Sequence, residues 1–259
     1  QNIEPPLPLL HAEKVALEGR TLLVVRVARG PQRPYRTNRG QYFLRSAASR
    51  RLATRQELLE IYQCAEALHP DELPVDDACA DEIDPENVVR VRPELAMLAP
   101  PLLAQALVNM KLVAPSGRAT LGGLLCFGKS PQQFRPYARI TAIRQRGTQV
   151  SEEFLDRAEI GGCVESQILV ARAFLRKHLA SGHPGVETGI YPAPIDAIDE
   201  AVVNAVAHRD YLAQAQVRVF IYDDRVQVIS PGRLLNSVDV EWMKYGCHLV
   251  RNPVVFSHL

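Results

Sequence analysis

The apolar residues change period several times along the chain, and each change predicts an element. Residues 12–18 and Thr21 to Val27 (TLLVVRV) are short runs on either side of Gly19-Arg20, and they predict a hairpin. A basic loop with two prolines follows, and Gln41 to Arg45 (QYFLR) resumes as a strand. Thr54 stands three residues before Glu57 and ahead of Leu58, Leu59, Ile61 and Tyr62, a capping box that predicts a helix. From His69 to Glu86 the chain is acidic and aperiodic, with three prolines, and it predicts a linker or an irregular wrap. Pro93 to Met110 reads as helical with a break at Pro100-Pro101. LVAPSGRATLGGLLCFG then predicts a hairpin or wing that turns at Ser116-Gly117, with LLCF as a buried strand. Arg139 to Arg146 predicts a strand. Ile160, Val164, Ile168, Ala171 and Leu175 predict a long amphipathic helix over 159–180. Pro194 opens a further helix as a first-turn proline, running through His208. Two strands, Gln216–Tyr222 and Arg225–Ile229, turn at Asp223-Asp224 and end at Ser230-Pro231-Gly232.

This order predicts an α/β (α+β) protein. With 259 residues, 47% hydrophobic and 23% charged, the chain has ordinary globular composition and the length of two small domains or one large one. The five cysteines are scattered and form no CxxC pair, which predicts reduced thiols and no zinc or redox motif. No apolar run reaches about 18 residues, so a membrane span is not expected. The N-terminus, QNIEPPLPLL, has no basic signal-like region, and the expected location is cytoplasmic. Both ends stop abruptly, which predicts a piece of a longer protein.

Charge changes the picture more than composition does. Residues 1–55 carry eleven Lys and Arg against three acids, a net of +8, and residues 56–94 carry two Arg against twelve acids, a net of −10. A basic block of this kind points to a polyanion. The same charges also fit pairing between the two blocks, or a solvated surface. Arg33, Arg36 and Arg39 in the loop, Arg45 on the strand, and Arg50 and Arg51 after it are the candidate phosphate contacts. Tyr35 is a candidate to stack or to anchor the loop.

A second candidate lies in IDAIDEAVVNAVAHRDY, 195–211. Asp196, Glu200, Asn204 and His208 are four apart, which places them on one slowly drifting helical stripe. Glu200 could orient or deprotonate a water, Asn204 could offer its oxygen to Mg²⁺, and His208 could face a phosphate. A plain polar helix face has the same spacing.

EAVVNAVAHRDY, VRVFIYDDRVQVISPGRL and YGCHLVRNPVV, with TLGGLLCFGKSPQQFRP and YPAPIDAIDEA, resemble the C-terminal module of RecG-related transcription regulators. That module resembles a divergent GHKL-type ATP-binding fold, with a helix motif of Glu, three residues, Asn, three residues, His. Glu200, Asn204 and His208 match it. The resemblance implies a water-activating role for Glu200, a magnesium role for Asn204, and nucleotide contact by Asn204, His208 and Gly232. The family's Asp-x-Gly-x-Gly box is not matched: the chain has Ile229-Ser230-Pro231-Gly232 there, without the aspartate that reads adenine. Residues 21–62 resemble the second half of the AlbA-like domain of Schlafen proteins. They depart from it at Ser46-Ala47, where the family tends to have glycine. The first half, with its nuclease ligands, is not matched.

These resemblances imply an AlbA/Schlafen-like half-domain over 1–64, an acidic linker over 65–92 and a RecG-like module over 93–259. Within that module, 93–130 is expected to be winged-helix-like and 131–259 a divergent GHKL-type α/β sandwich. The expected function is a non-catalytic or weakly nucleotide-responsive transcriptional regulator that binds nucleic acid, DNA before RNA, with a homodimer among the expected partners. The alternative is an ATPase with ATP and Mg as cofactors. Gly123–Ser130 also fits GxxxxGK[ST] letter for letter. Its middle is apolar, a proline follows at once and PQQFRP with its two prolines is expected to make a poor helix, so it predicts a core element, not a phosphate loop or a helicase. The HRD at 208–210 lacks every other kinase element.

Overall fold

The computed structural model describes residues 3–7, 10–17, 19–27, 34–47, 49–64, 68–179, 195–232 and 250–259. Those up to Leu68 form one compact unit and those from His69 onward a second.

In the first unit, β1 (Ile3–Glu4) pairs with β4 (Arg36–Thr37). The expected hairpin joins β2 (Leu10–Leu17) to β3 (Arg20–Val27) through Gly19, whose φ of +75° suits glycine. A shorter ladder joins β5 (Phe43–Ser46) to β6 (Ser49–Leu52). Helix α1 (Arg55–Cys64) starts on the expected capping box. The Glu57 N–H donates to Thr54 Oγ1 at 3.3 Å, and the Thr54 N–H donates to the Glu57 carboxylate at 2.9 Å.

The second unit opens with a 3₁₀ turn at Pro70–Glu72, then β7 (Pro74–Cys79) and a 3₁₀ turn at Ala80–Glu82. Helix α2 (Pro85–Val91) follows, capped by Asp84, then a 3₁₀ turn at Pro93–Met97 and helix α3 (Pro100–Asn109). The chain reverses through Gly117, and β8 (Arg118–Thr120) returns to pair with β7. Helix α4 (Leu121–Phe127) runs through the core, with all seven residues buried. After the short α5 (Pro131–Phe134) come β9 (Ile140–Gln145), β10 (Phe154–Ile160), α6 (Val164–Leu179), α7 (Ile195–Ala207), β11 (Val217–Ile221), β12 (Val226–Ile229) and α8 (Pro253–Phe256). Four of these strands form a mixed sheet in the order β10-β9-β11-β12. The central pair β9 and β11 is parallel and both outer pairings are antiparallel. Ile140, Ala142, Ile160, Val217, Val219 and Ile221 share one face of that sheet. They join one core with Val164, Ile168, Ala171 and Leu175 of α6 and Ile198, Val202 and Val206 of α7. The chain is an α/β protein.

Four expectations are corrected. The linker alternative for the acidic stretch 69–86 falls, since the stretch is built into the second unit with Asp71, Val75, Ala78 and Ile83 buried. The β7–β8 ladder shifts register between Pro74 and Cys79, so these positions follow no simple period. Its acids Glu72 and Asp76 pair with Lys111 and Arg118, each at 2.6 Å. LLCF is helical where a strand was expected. An all-apolar run has no polar face to reveal its period, and Thr120 caps it by accepting the Gly123 N–H at 3.0 Å. The long helix begins at Val164, because Ile160 is the last inward residue of β10 and Gly161-Gly162 turn the chain. Pro131 to Phe134 do form a helix, of one turn, with Pro131 in its first turn. Pro194 lies outside the described residues.

Candidate functional site

The β5–β6 ladder sorts the candidate arginines. Its register sets Phe43 opposite Leu52 and Arg45 opposite Arg50, and alternation puts these four on one face. Leu44, Ser46, Ser49 and Arg51 take the other. Arg51 is committed there: its guanidinium grips Glu57 at 2.7 and 2.5 Å and draws that carboxyl down to about 2. Arg36 pairs with Glu4 at 3.3 Å. Arg45 and Arg50 are exposed, and neither meets a carboxylate among the described residues. Each is nevertheless held in place. Arg45 donates its Nε to the Ala47 carbonyl at 3.0 Å, and the Arg50 guanidinium stands 5.3 Å from the centre of the Phe43 ring. Like charges placed directly opposite across a ladder repel, so this face gains from an anion. Arg39 is exposed in the turn before Gly40, Tyr35 is half-buried, and Arg33 lies outside the described residues. The sequence reading missed Phe43. The signal was the alternation Phe43, Arg45 and Arg50, Leu52, visible only once the two strands are set in register.

On α7, Asp196, Glu200 and Asn204 are exposed, and His208, just past its end, is half-buried, its ring 6.2 Å from that of Phe256. The buried acid of this helix is Asp199, off the stripe, which meets Arg176 at 3.1 Å and Arg172 at 3.5 Å. Mg²⁺ keeps several waters and takes few protein oxygens, so Glu200 and Asn204, one turn apart, fit a magnesium–phosphate unit. The base end does not fit. Gly232 has φ +127°, and a Cβ there would lie 2.6 Å from Arg251 Nη1 and 3.2 Å from the Asp210 side chain. The space beside that glycine is taken by a buried Arg251 paired with Asp210 at 3.7 Å. Among the described residues no group of three or more His, Cys, Asp or Glu is placed to hold a metal.

The phosphate-loop-like stretch is core. A Cβ at Gly123 would lie 2.1 Å from the Leu112 carbonyl oxygen, and one at Gly122 2.6 Å from the Val254 side chain. The amides a phosphate would need are spent: Gly123 on Thr120, Gly128 on Leu124 and Lys129 on Glu82. The HRD is structural too. Arg209 is buried and donates to the carbonyls of Tyr137 and Ala215 at 2.5 and 2.6 Å. Asn252 donates to the carbonyls of Ala207 and Arg209, each at 2.8 Å. Asp71 is fully buried and accepts the Val254 and Val255 N–H groups at 2.7 and 3.0 Å, capping α8. Burial outweighs those two bonds and pushes its carboxyl up to about 6.

Three further observations come from known proteins. No curated protein matches the chain. A solved structure, the DIP2311 protein from Corynebacterium diphtheriae, superposes with a TM-score of 0.52 at 18% identity, covering 96% of this chain and 49% of its own. That likeness concerns the fold alone, and the chain spans about half the length of that relative. Residues 214–259, from just before β11 through α8, match the family described as "Putative ATP-dependent DNA helicase recG C-terminal". The chain therefore carries a RecG-like C-terminal segment.

Proposed function

We propose that this chain is the nucleic-acid-binding part of a transcriptional regulator, and that it works by holding phosphates, with no chemical step. The observation that carries the reading is the Arg45–Arg50 pair. Two exposed guanidinium groups face each other across β5–β6, each oriented by its own neighbour and neither meeting a carboxylate among the described residues, while Arg36 and Arg51 are each paired with one. Guanidinium forks match phosphate oxygens in pairs. The AlbA-like resemblance of residues 21–62 agrees, and the RecG-like segment would serve as a sensor or dimerisation unit. The winged-helix-like region is a poor rival for the contact: α3 carries no Lys or Arg, and Lys111 and Arg118 beside it are already paired. Fluorescence anisotropy with labelled DNA tests the assignment. Arg45→Ala and Arg50→Ala should each weaken binding more than Arg36→Ala. Equal losses at all three positions would count against this face.

A second reading, nucleotide binding on α7, is favoured by the exposed Glu200–Asn204 pair and by the RecG-like match. In that reading Mg²⁺ and ATP are the cofactors, Asn204 holds the metal and Glu200 handles the water. Titration of Mg-ATP against wild type and Asn204→Ala decides it. Binding that Asn204→Ala abolishes would support the reading, and an unchanged or absent signal would end it.

A further inference from the structure

We infer that the exposed face of β5–β6 takes a single-stranded polynucleotide, with Phe43 stacking on a base while Arg45 and Arg50 hold the flanking phosphates. This rests on the nucleic-acid reading above and narrows its ligand class.

The argument starts from what the face exposes. Phe43 and Leu52, opposite each other, are 40% and 52% exposed, beside the two arginines. A face built only to hold a duplex backbone needs cations and hydrogen-bond donors, and an exposed phenyl ring adds nothing there. Single strands are bound by a different pairing of parts, a cationic track with aromatic rings on which unstacked bases lie. In a duplex the base faces are already stacked on each other, so the ring has no partner. Phe43 is also pre-set for the role, since Arg50 stands over its ring and fixes one side as a cation–π pair. The alternation along β5 places the ring and Arg45 two residues apart on one face, a spacing of about 7 Å. The turn beyond them holds Arg45 through the Ala47 carbonyl. Ring, fork and second fork thus lie on one short ladder, and no carboxylate among the described residues competes for them. The shared chemistry is a base beside a phosphodiester, in DNA or RNA.

The test uses the full chain and anisotropy at about 50 mM salt. Labelled single-stranded DNA of about 16 nucleotides, RNA of the same sequence and the matching DNA duplex serve as probes. The inference expects at least one single strand to bind more tightly than the duplex. Phe43→Leu keeps apolar bulk and removes the ring; it should cost the single strand about five- to a hundred-fold and leave any duplex binding unchanged. Phe43→Trp should retain single-strand binding, and thermal melts establish that both variants fold. A preference between the DNA and RNA strands would support the inference and name the sugar. A duplex bound as tightly as either strand, or Phe43→Leu without effect, would overturn it while leaving the nucleic-acid reading standing. No binding of any probe would overturn both.

Discussion

Replacing Gly123 by alanine separates the structural from the functional meaning of the GxxxxGKS stretch. The added methyl would sit 2.1 Å from the Leu112 carbonyl oxygen, 2.8 Å from its carbon and 3.0 Å from its Cα. All three are backbone atoms, so no side-chain rotamer relieves the clash. The turn around Leu112 is itself fixed, because its carbonyl accepts from the Thr120 N–H and hydroxyl at 3.0 and 3.1 Å. Moving α4 instead would disturb seven buried residues. Overpacking of this kind costs about 3 kcal/mol or more. For a unit of this size that is a fall in Tm of about 6–12 °C. Thermal melts and urea titration would read it directly. Lys129→Ala, whose side chain is exposed, should by contrast leave Tm nearly unchanged. A Gly123→Ala protein that melts within about 2 °C of wild type would refute the packing account.

Other outcomes follow from single residues. Ala47 has φ +50° at the β5–β6 turn, where alanine is strained, so Ala47→Gly should raise unfolding free energy by about 1 kcal/mol in urea titration. Asp71 has its folded pKa raised from 3.8 to about 6 by burial, so the folded state holds the proton more tightly than the unfolded one. Its contribution is most favourable below about pH 4 and is lost as pH rises to about 6, a span of about 3 kcal/mol. Asp71→Asn should therefore flatten the stability difference between pH 4 and 6.5, and an unchanged slope would contradict the assignment. Asn252→Ala should lower stability by about 2–3 kcal/mol, because it unpairs the buried carbonyls of Ala207 and Arg209.

Much of the fold was legible where local chemistry decides. The Gly19 hairpin, the Thr54–Glu57 capping box, strand β9 and the β11–β12 hairpin all declare themselves by turn residues, caps or alternation. The failures have one physical root: long-range contacts carry no local period. Helix α4 is apolar on every side and so lacks the polar face that would separate it from a strand. Asp71 looked like one more acid in an acidic run, yet it caps a helix through an N–H 183 residues later in the chain. Arg209 and Asn252 resembled motif residues and are buried hydrogen-bond anchors. The candidate site was half visible. Charge counting found the basic block. The strand register separated Arg45 and Arg50 from Arg51 and brought Phe43 beside them, and the ion pair with Glu4 set Arg36 apart.

The central claim is that Arg45 and Arg50 on β5–β6, which meet no carboxylate among the described residues, hold phosphates, and its most direct test is the salt dependence of binding. Anisotropy titrations between about 50 and 200 mM salt would give the slope of log affinity against log salt for wild type and for the Arg45→Ala/Arg50→Ala double variant. Each lost phosphate contact removes about 0.7 from the magnitude of the slope on a single strand and about 0.9 on a duplex. The account predicts a double variant shallower by about 1.4–1.8. Equal slopes in the two proteins would contradict it.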